Sequence, residues 1–333
     1  MFLPFTIALT VISVVATSEV AMSATVFTAN ENENSVSIID SETGSSSKLS
    51  LSFSPHNVDL TADRRILLVT GMTAMKMGDT KASAHPMGQL LVADVSGANP
   101  VILGEYSVGV HPAHVVAAQD GKTLYISDAA ANTVLVFDLS EKRISTQITV
   151  GEYPHGLRLS PDGKTLAVAN LKGNSVSLIN VSNNRELKRI PTGRGPVQVA
   201  FTPAGDRLLV ALNGQNQAVL LDTENAKAIQ TFTIGRRPVQ VFITPDSETG
   251  IIANQGTKSN PDNRISFVSL KASKNVKMLQ TGAGSHGVFI SSDGKQAFVT
   301  NSFDNTLSII DVPAQKVLKT FQTGRGPNGV VVR

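Results

Sequence analysis

The sequence predicts an all-β fold: a seven-bladed β-propeller of four-stranded antiparallel blades, its ring closed by N- and C-terminal strands that share one blade. Three observations carry this. A short connector recurs seven times: a Pro (once Ser), two residues that are often His, Gln or Gly, then an apolar run. It reads Pro55-His56-Asn57, Pro112-Ala113-His114, Pro154-His155-Gly156, Pro196-Val197-Gln198, Pro238-Val239-Gln240, Ser285-His286-Gly287 and Pro327-Asn328-Gly329. The intervals of 57, 42, 42, 42, 47 and 42 residues are those of a propeller blade repeated around an axis. Within each interval short apolar runs alternate with turn residues, and the two chain ends carry complementary fractions of one further unit.

Residues 1–23 stand apart from that repeat. Phe2 to Ala16 is almost continuously apolar, and Ala21-Met22-Ser23-Ala24 is a small-residue stretch suited to cleavage. We read a signal peptide cut after Ser23 or Ala24, with an uncleaved N-terminal anchor as the runner-up because no Lys or Arg precedes the apolar run. Residues 24–333 are then a single propeller domain, periplasmic or secreted, monomeric, and without a membrane span once the leader is removed. The 333 residues include no Cys, which excludes disulfides, thiolate metal sites, covalent c-type haem and a lipid-modified Cys. A formal net charge of +3 does not demand nucleic acid, and three Tyr with no Trp make a poor base-stacking platform.

After the leader, Val26 to Asn30 and Ser35 to Asp40 read as strands, with a third near Leu49 to Phe53. These are the outer three strands of a blade that lacks its first. Gly329 to Val332, after the last connector, supplies the missing strand and removes the open edges. The third unit shows the repeating grammar: Gly156 to Ser160, Thr165 to Asn170, Ser175 to Asn180 and Glu186 to Ile190 are its four strands. Asp120-Gly121, Asp162-Gly163 and Asp293-Gly294 occupy one turn, where Gly accepts a positive φ. Two insertions break the period, Gly71 to Gly88 in the first unit and a longer loop, Gln255 to Asn263, in the fifth.

The phrases SPDGKTLAVANLKGNSVSLIN (Ser160 to Asn180) and SSDGKQAFVTNSFDNTLSIID (Ser291 to Asp311), with TGRGP at Thr192 to Pro196 and Thr323 to Pro327, resemble the YVTN-type β-propeller repeats. The resemblance covers nearly all of residues 25 to 333. It implies the fold and an exported protein of the cytochrome cd1 and lactonase-like propeller superfamily. It leaves function open, because propellers sharing this repeat include scaffolds, lactonase-like relatives and tetrapyrrole binders.

In a four-stranded antiparallel blade the connectors and the second-to-third-strand loops share one face, and the Asp-Gly turns lie on the other. Five of the six His residues stand in connectors (His56, His111, His114, His155, His286), and His85 stands in the first insertion. Arg194, Arg236 and Arg325 occupy the position two before the Pro, with Arg237 beside Arg236. The connector face should thus hold an imidazole sector and a cationic sector. Guanidinium forks suit carboxylate or phosphate oxygens, and neutral imidazoles suit metals. Gln198, Gln240 and Asn328 stand at matching connector positions and join the Arg residues as candidate ligand-binding groups. His56, His114, His155 and His286 are candidate metal ligands. A second candidate set is Met72, Met75, Met77, His85 and Met87, soft donors for Cu(I) or else an apolar flap.

No metalloprotease helix, nucleophile elbow, phosphate loop or haem-attachment motif is present, and Glu152 is the clearest carboxylate near a connector. The leading expectation is an exported non-catalytic propeller that binds a partner protein or a small anionic ligand at the channel mouth. The alternative is a protein, enzymatic or not, that holds a transition metal or a tetrapyrrole through the axial His residues. A third reading is polyanion or nucleic-acid binding through the Arg sector.

Overall fold

The computed structural model describes residues 23–73, 88–271 and 276–333. Among them are seven four-stranded antiparallel sheets and no helix, so no helix is long and apolar enough to cross a membrane. The expected leader lies outside the described residues apart from Ser23, as do Met75, Met77, His85 and Met87.

The blades follow from the repeat. In the third, Pro154–Leu159, Thr165–Asn170, Ser175–Asn180 and Arg185–Pro191 lie side by side. The middle strands are buried on both faces and the outer strand alternates exposed and half-buried, because only the middle strands face a blade on each side. Neighbouring blades meet through aliphatic side chains, as where Ala200, Leu209 and Leu220 pack on Val241 and Ile252. Each such fully buried Leu or Ile contributes about 1.5–3 kcal/mol.

The terminal strands close the ring as expected. Pro327–Val332 pairs antiparallel with Thr25–Asn30, which continues to Ser35–Asp40 and Ser46–Ser50. Thr25 N–H donates to the Arg333 carbonyl at 3.0 Å, and Arg333 N–H donates back to Thr25 at 2.9 Å. The Pro327–Val332 strand also packs on Ser54–Leu60 of the first blade, so every inner strand touches its neighbours around the full circle.

Two expectations are corrected. The third strand of the terminal blade is Ser46–Ser50, earlier than Leu49 to Phe53, because Asp40 Oδ1 accepts from Glu42 and Thr43 N–H and closes the turn early. This outer strand is polar and exposed, so hydrophobicity does not mark it. The fifth-blade insertion is no loop: Thr249–Thr257 and Asn260–Ser269 extend the hairpin beyond the sheet. Its base is tied by Asp262, fully buried, which accepts two bonds of 2.8 Å from Arg264 and one of 2.8 Å from Arg236 N–H.

One backbone device positions everything at the axis. The pairing register of all seven inner strands shifts at the connector residues. Bulges of this kind re-aim side chains at the start of a strand, and here the inner strands begin at the connector Pro or Ser itself, or in the first blade one residue earlier at Ser54, before the Gly156 or Gly329 start expected from hydrophobicity.

Candidate functional site

Each blade sends polar side chains from its bulge into the channel mouth. In the third, sixth and seventh blades the residue after Pro or Ser is polar (His155, His286, Asn328) and the next is Gly. In the second, fourth and fifth the order is reversed, a small or apolar residue and then His114, Gln198 or Gln240. The first blade supplies both His56 and Asn57. The Gly residues are a steric requirement, because a Cβ on Gly156 would stand 2.3 Å from Gln198 Oε1 and 2.6 Å from the Val197 carbonyl oxygen. On Gly287 it would meet the Asn328 carbonyl oxygen at 2.4 Å.

Three imidazoles from consecutive blades converge. One nitrogen each of His56, His114 and His155 lies within 4.8 Å of the other two. The ring centroids are 5.7 Å (His56–His114), 5.4 Å (His56–His155) and 5.0 Å (His114–His155) apart, all crossed rather than stacked. The nitrogens, not the ring planes, bring the three together, and a contraction of about 1 Å from 4.8 Å would bring them to the 3–4.5 Å separation of ligands on one metal.

Hydrogen bonds orient the rings. His155 Nδ1 lies 3.1 Å from the Val197 carbonyl oxygen, so Nδ1 carries the proton and Nε2 keeps its lone pair. Gln198 accepts from Val199 N–H through Oε1 and donates through Nε2 to Gln240 Oε1 at 3.1 Å, with His114 Nδ1 at 3.4 Å. Behind His56 stands Glu31, from the turn between the Thr25–Asn30 and Ser35–Asp40 strands. Its Oε1 is 3.4 Å from His56 Nδ1, and its Oε2 accepts from Asn328 Nδ2 at 2.6 Å. A carboxylate behind an imidazole is the arrangement that fixes the orientation of a ligating His.

Burial keeps the inner rings neutral. His114 is held well below the ordinary imidazole range by burial, then by the fields of His155 and His56. Burial and the charge of His56 lower His155 to about 3 against the pull of the Val197 carbonyl. Burial and His56 bring His286 to about 4. Burial opposes ionisation of Glu31, but its hydrogen bond to His56 and the electrostatic influence of that ring prevail and hold it below the usual Glu value. Neutral imidazoles beside an ionised carboxylate can ligate a cation without first losing protons.

A second layer lies deeper in the channel, four positions after the connector Pro or Ser, where Asp59 and Arg158 replace the apolar Val116, Ala200 and Val331 of other blades. The Arg158 guanidinium carbon is 5.8 Å from the centroid of Phe242, and Phe242 lies 5.4 Å from Phe289. Arg158 Nη1 donates to the Leu157 carbonyl at 3.2 Å, and Asp59 Oδ1 accepts from Leu60 N–H. Burial raises Asp59 to about 6 although the Arg158 charge opposes it.

The four remaining connector candidates are not drawn in. Arg194, Arg236, Arg237 and Arg325 are exposed, and the side chain of Arg236 donates to the Pro261 carbonyl at 2.7 Å. Gln198, Gln240 and Asn328 do join the His ring, and His286 is buried there outside the three-imidazole cluster. Glu152 is exposed on the connector. The carboxylate at the mouth is Glu31, which sequence reasoning missed because it lies in a turn remote from any connector, though on the same face. Asp59 and Arg158 were also missed, and their signal was a charge inside an otherwise apolar inner strand.

A family model described as "Lactonase, 7-bladed beta-propeller" matches residues 91–201. No curated protein matches the chain. Among solved structures, the fold is similar to hydrazine synthase of Kuenenia stuttgartiensis, with a TM-score of 0.69 and 19% identity over 83% of this chain and 88% of that one. It is also similar to a functionally unknown protein of Desulfotomaculum acetoxidans DSM 771, with a TM-score of 0.75 and 12% identity over 92% and 98% of the two chains. A candidate 6-phosphogluconolactonase of Bacteroides fragilis NCTC 9343 gives 0.74 and 14% over 95% and 99%. These likenesses bear out the seven-bladed propeller fold.

Proposed function

We propose that this lactonase-like propeller binds one divalent transition-metal ion at its channel mouth through His56, His114 and His155. The observation that carries the reading is their mutual approach to within 4.8 Å from three separate blades. Three imidazoles are a ligand set for zinc and its neighbours in the first transition row. The orientation of His155 by the Val197 carbonyl and the Glu31 carboxylate behind His56 support it. This takes up the alternative expectation, a metal at the axial His residues, in place of the leading one, a partner protein or small anionic ligand on the connector face.

A tetrapyrrole suits the cluster less well. A macrocycle takes axial nitrogens only from its two faces, and a third imidazole at the same spacing would collide with the ring. The cationic rim gives polyanion binding little support, since one of its guanidinium groups is engaged by the protein's own backbone. Export by the N-terminal leader belongs to the same reading: a centre built of imidazoles needs no reduced thiol and suits an oxidising compartment.

The test is equilibrium dialysis of metal-stripped protein against Zn(II), followed by elemental analysis. One ion per chain is expected, and alanine at His56, His114 or His155 is expected to weaken binding at least 10-fold. Wild-type protein that retains no ion would overturn the proposal.

A further inference from the structure

In each of the first six blades the inner strand turns tightly into the second, and the residue whose N–H closes that turn has a positive φ. Gly121, Gly163, Gly205 and Gly294 hold this position in the second, third, fourth and sixth blades and Ser247 in the fifth, but in the first it is Arg64, at φ 57°. A long side chain takes up this conformation at a cost that Gly avoids, so the turn itself gives no reason for an Arg. A strained residue of this kind points to a function.

The repeat shows where that side chain heads. Where a Cβ on the equivalent Gly would meet anything, it meets the preceding blade: Gln119 at 2.9 Å from Gly163, Pro161 Cδ at 3.7 Å from Gly205 and Pro245 Cδ at 3.0 Å from Gly294. The blade preceding Arg64 is the terminal one, whose inner strand, Pro327–Val332, and second strand, Thr25–Asn30, are joined by no tight turn. At that end lies a cavity of about 600 Å³ whose walls include Arg64, Lys295, Arg333, Asp293, Phe289 and Phe298. It opens on the turn face, opposite the imidazoles.

Two of its cations are uncommitted. Neither the Arg64 guanidinium nor the Lys295 ammonium forms a hydrogen bond or ion pair among the described residues, whereas Asp293 is engaged by Ser291 Oγ and Lys295 N–H of its own turn. Phe298 is fully buried and Phe289 half-buried, so the wall behind the cations is apolar and partly open. We propose that this cavity binds a small aryl carboxylate, its carboxylate held by Arg64 and Lys295 and its ring laid against Phe289. A guanidinium fork matches a carboxylate, and the volume falls among those of sites for small organic ligands. The site is separate from the imidazole cluster and does not depend on it.

The experiment titrates the protein with 2-naphthoate, followed by its fluorescence, and with acetate and inorganic phosphate for comparison. Wild type is expected to bind one 2-naphthoate per chain saturably and the two smaller anions at least 10-fold more weakly. Arg64→Gly and Lys295→Ala are each expected to weaken 2-naphthoate binding about 10-fold, the loss of one charge-assisted hydrogen bond. Because Gly is the residue this turn accepts without strain, Arg64→Gly is also expected to unfold at no lower urea concentration than wild type. Lys122→Ala, at the position of Lys295 in the second blade, should leave binding unchanged. Absence of saturable 2-naphthoate binding overturns the proposal, as does an affinity that Arg64→Gly and Lys295→Ala leave intact or that Lys122→Ala lowers equally. Phosphate bound as tightly as 2-naphthoate would remove the apolar half of the site, and an Arg64→Gly protein less stable than wild type would make Arg64 a structural residue; either result also overturns it.

Discussion

Replacing Gly156 by Ala tests how tightly the mouth is built. The new Cβ would stand 2.3 Å from Gln198 Oε1 and 2.6 Å from the Val197 carbonyl oxygen. The glutamine amide can swing aside, but the Val197 carbonyl is backbone and is also the acceptor for His155 Nδ1. Relief therefore moves the fourth inner strand away from the third, at about 1–3 kcal/mol for overpacking. The weakened His155 bond adds about 1 kcal/mol. The total of about 2–4 kcal/mol is a large share of the roughly 5–15 kcal/mol that holds a domain folded. Gly121→Ala is the control: that Cβ meets nothing within 4 Å, and only its φ of 66° is unfavourable, at about 1 kcal/mol. Urea unfolding of both variants, with Zn(II) affinity measured alongside, is the assay. Gly156→Ala is expected to lose more stability than Gly121→Ala and, alone of the two, to bind Zn(II) more weakly. Equal stability losses with unchanged Zn(II) affinity would refute the steric account of the mouth.

Other expectations follow from the same coordinates. Burial raises Asp59 to about 6 in the folded protein, so its contribution favours the fold below the unfolded Asp value near 4 and fades as pH rises through 6. Channel water reduces the resulting effect to about 1–2 kcal/mol; the unfolding free energy of Asp59→Asn relative to wild type should rise by that amount between pH 4 and pH 8, and a constant difference would contradict it. Deleting Pro327 to Arg333 removes buried Val330, Val331 and Val332, worth about 5–9 kcal/mol, and is expected to abolish cooperative thermal unfolding; a truncated chain melting like the whole would sink the closure. Alanine at Arg194, Arg236 and Arg325 together is expected to leave Zn(II) affinity unchanged, since these exposed side chains stand on the rim; a tenfold loss would place the cationic sector inside the site.

Much of this was legible in the connectors. Their period gave the blades, and their His, Gln and Asn residues are the ones the mouth contains, because a bulge at the same register in every blade turns them inward. What periodicity cannot convey is which side chains from different blades meet. His56, His114 and His155 converge while His286 stands outside their group, although all four come from connectors. The second-to-third-strand turns lie on the same face, yet only the folded ring shows that Glu31 reaches His56 and Asn328 across the closure. Asp59 and Arg158 escaped notice because an isolated charge in an apolar strand looks like an edge position until the channel is seen. The extended Thr249–Ser269 hairpin read as a loop because Pro261 and Gly256 imitate turn chemistry inside a continued ladder.

The central claim is that three imidazoles hold the ion, and X-ray absorption at the metal edge of Zn(II)-loaded protein tests it most directly. The account predicts a shell of nitrogen and oxygen at about 2.0–2.1 Å with the outer scattering of three imidazoles. A sulfur shell at about 2.3 Å, as the Met72 to Met87 segment could supply, or a shell of oxygens without imidazole scattering, would contradict it.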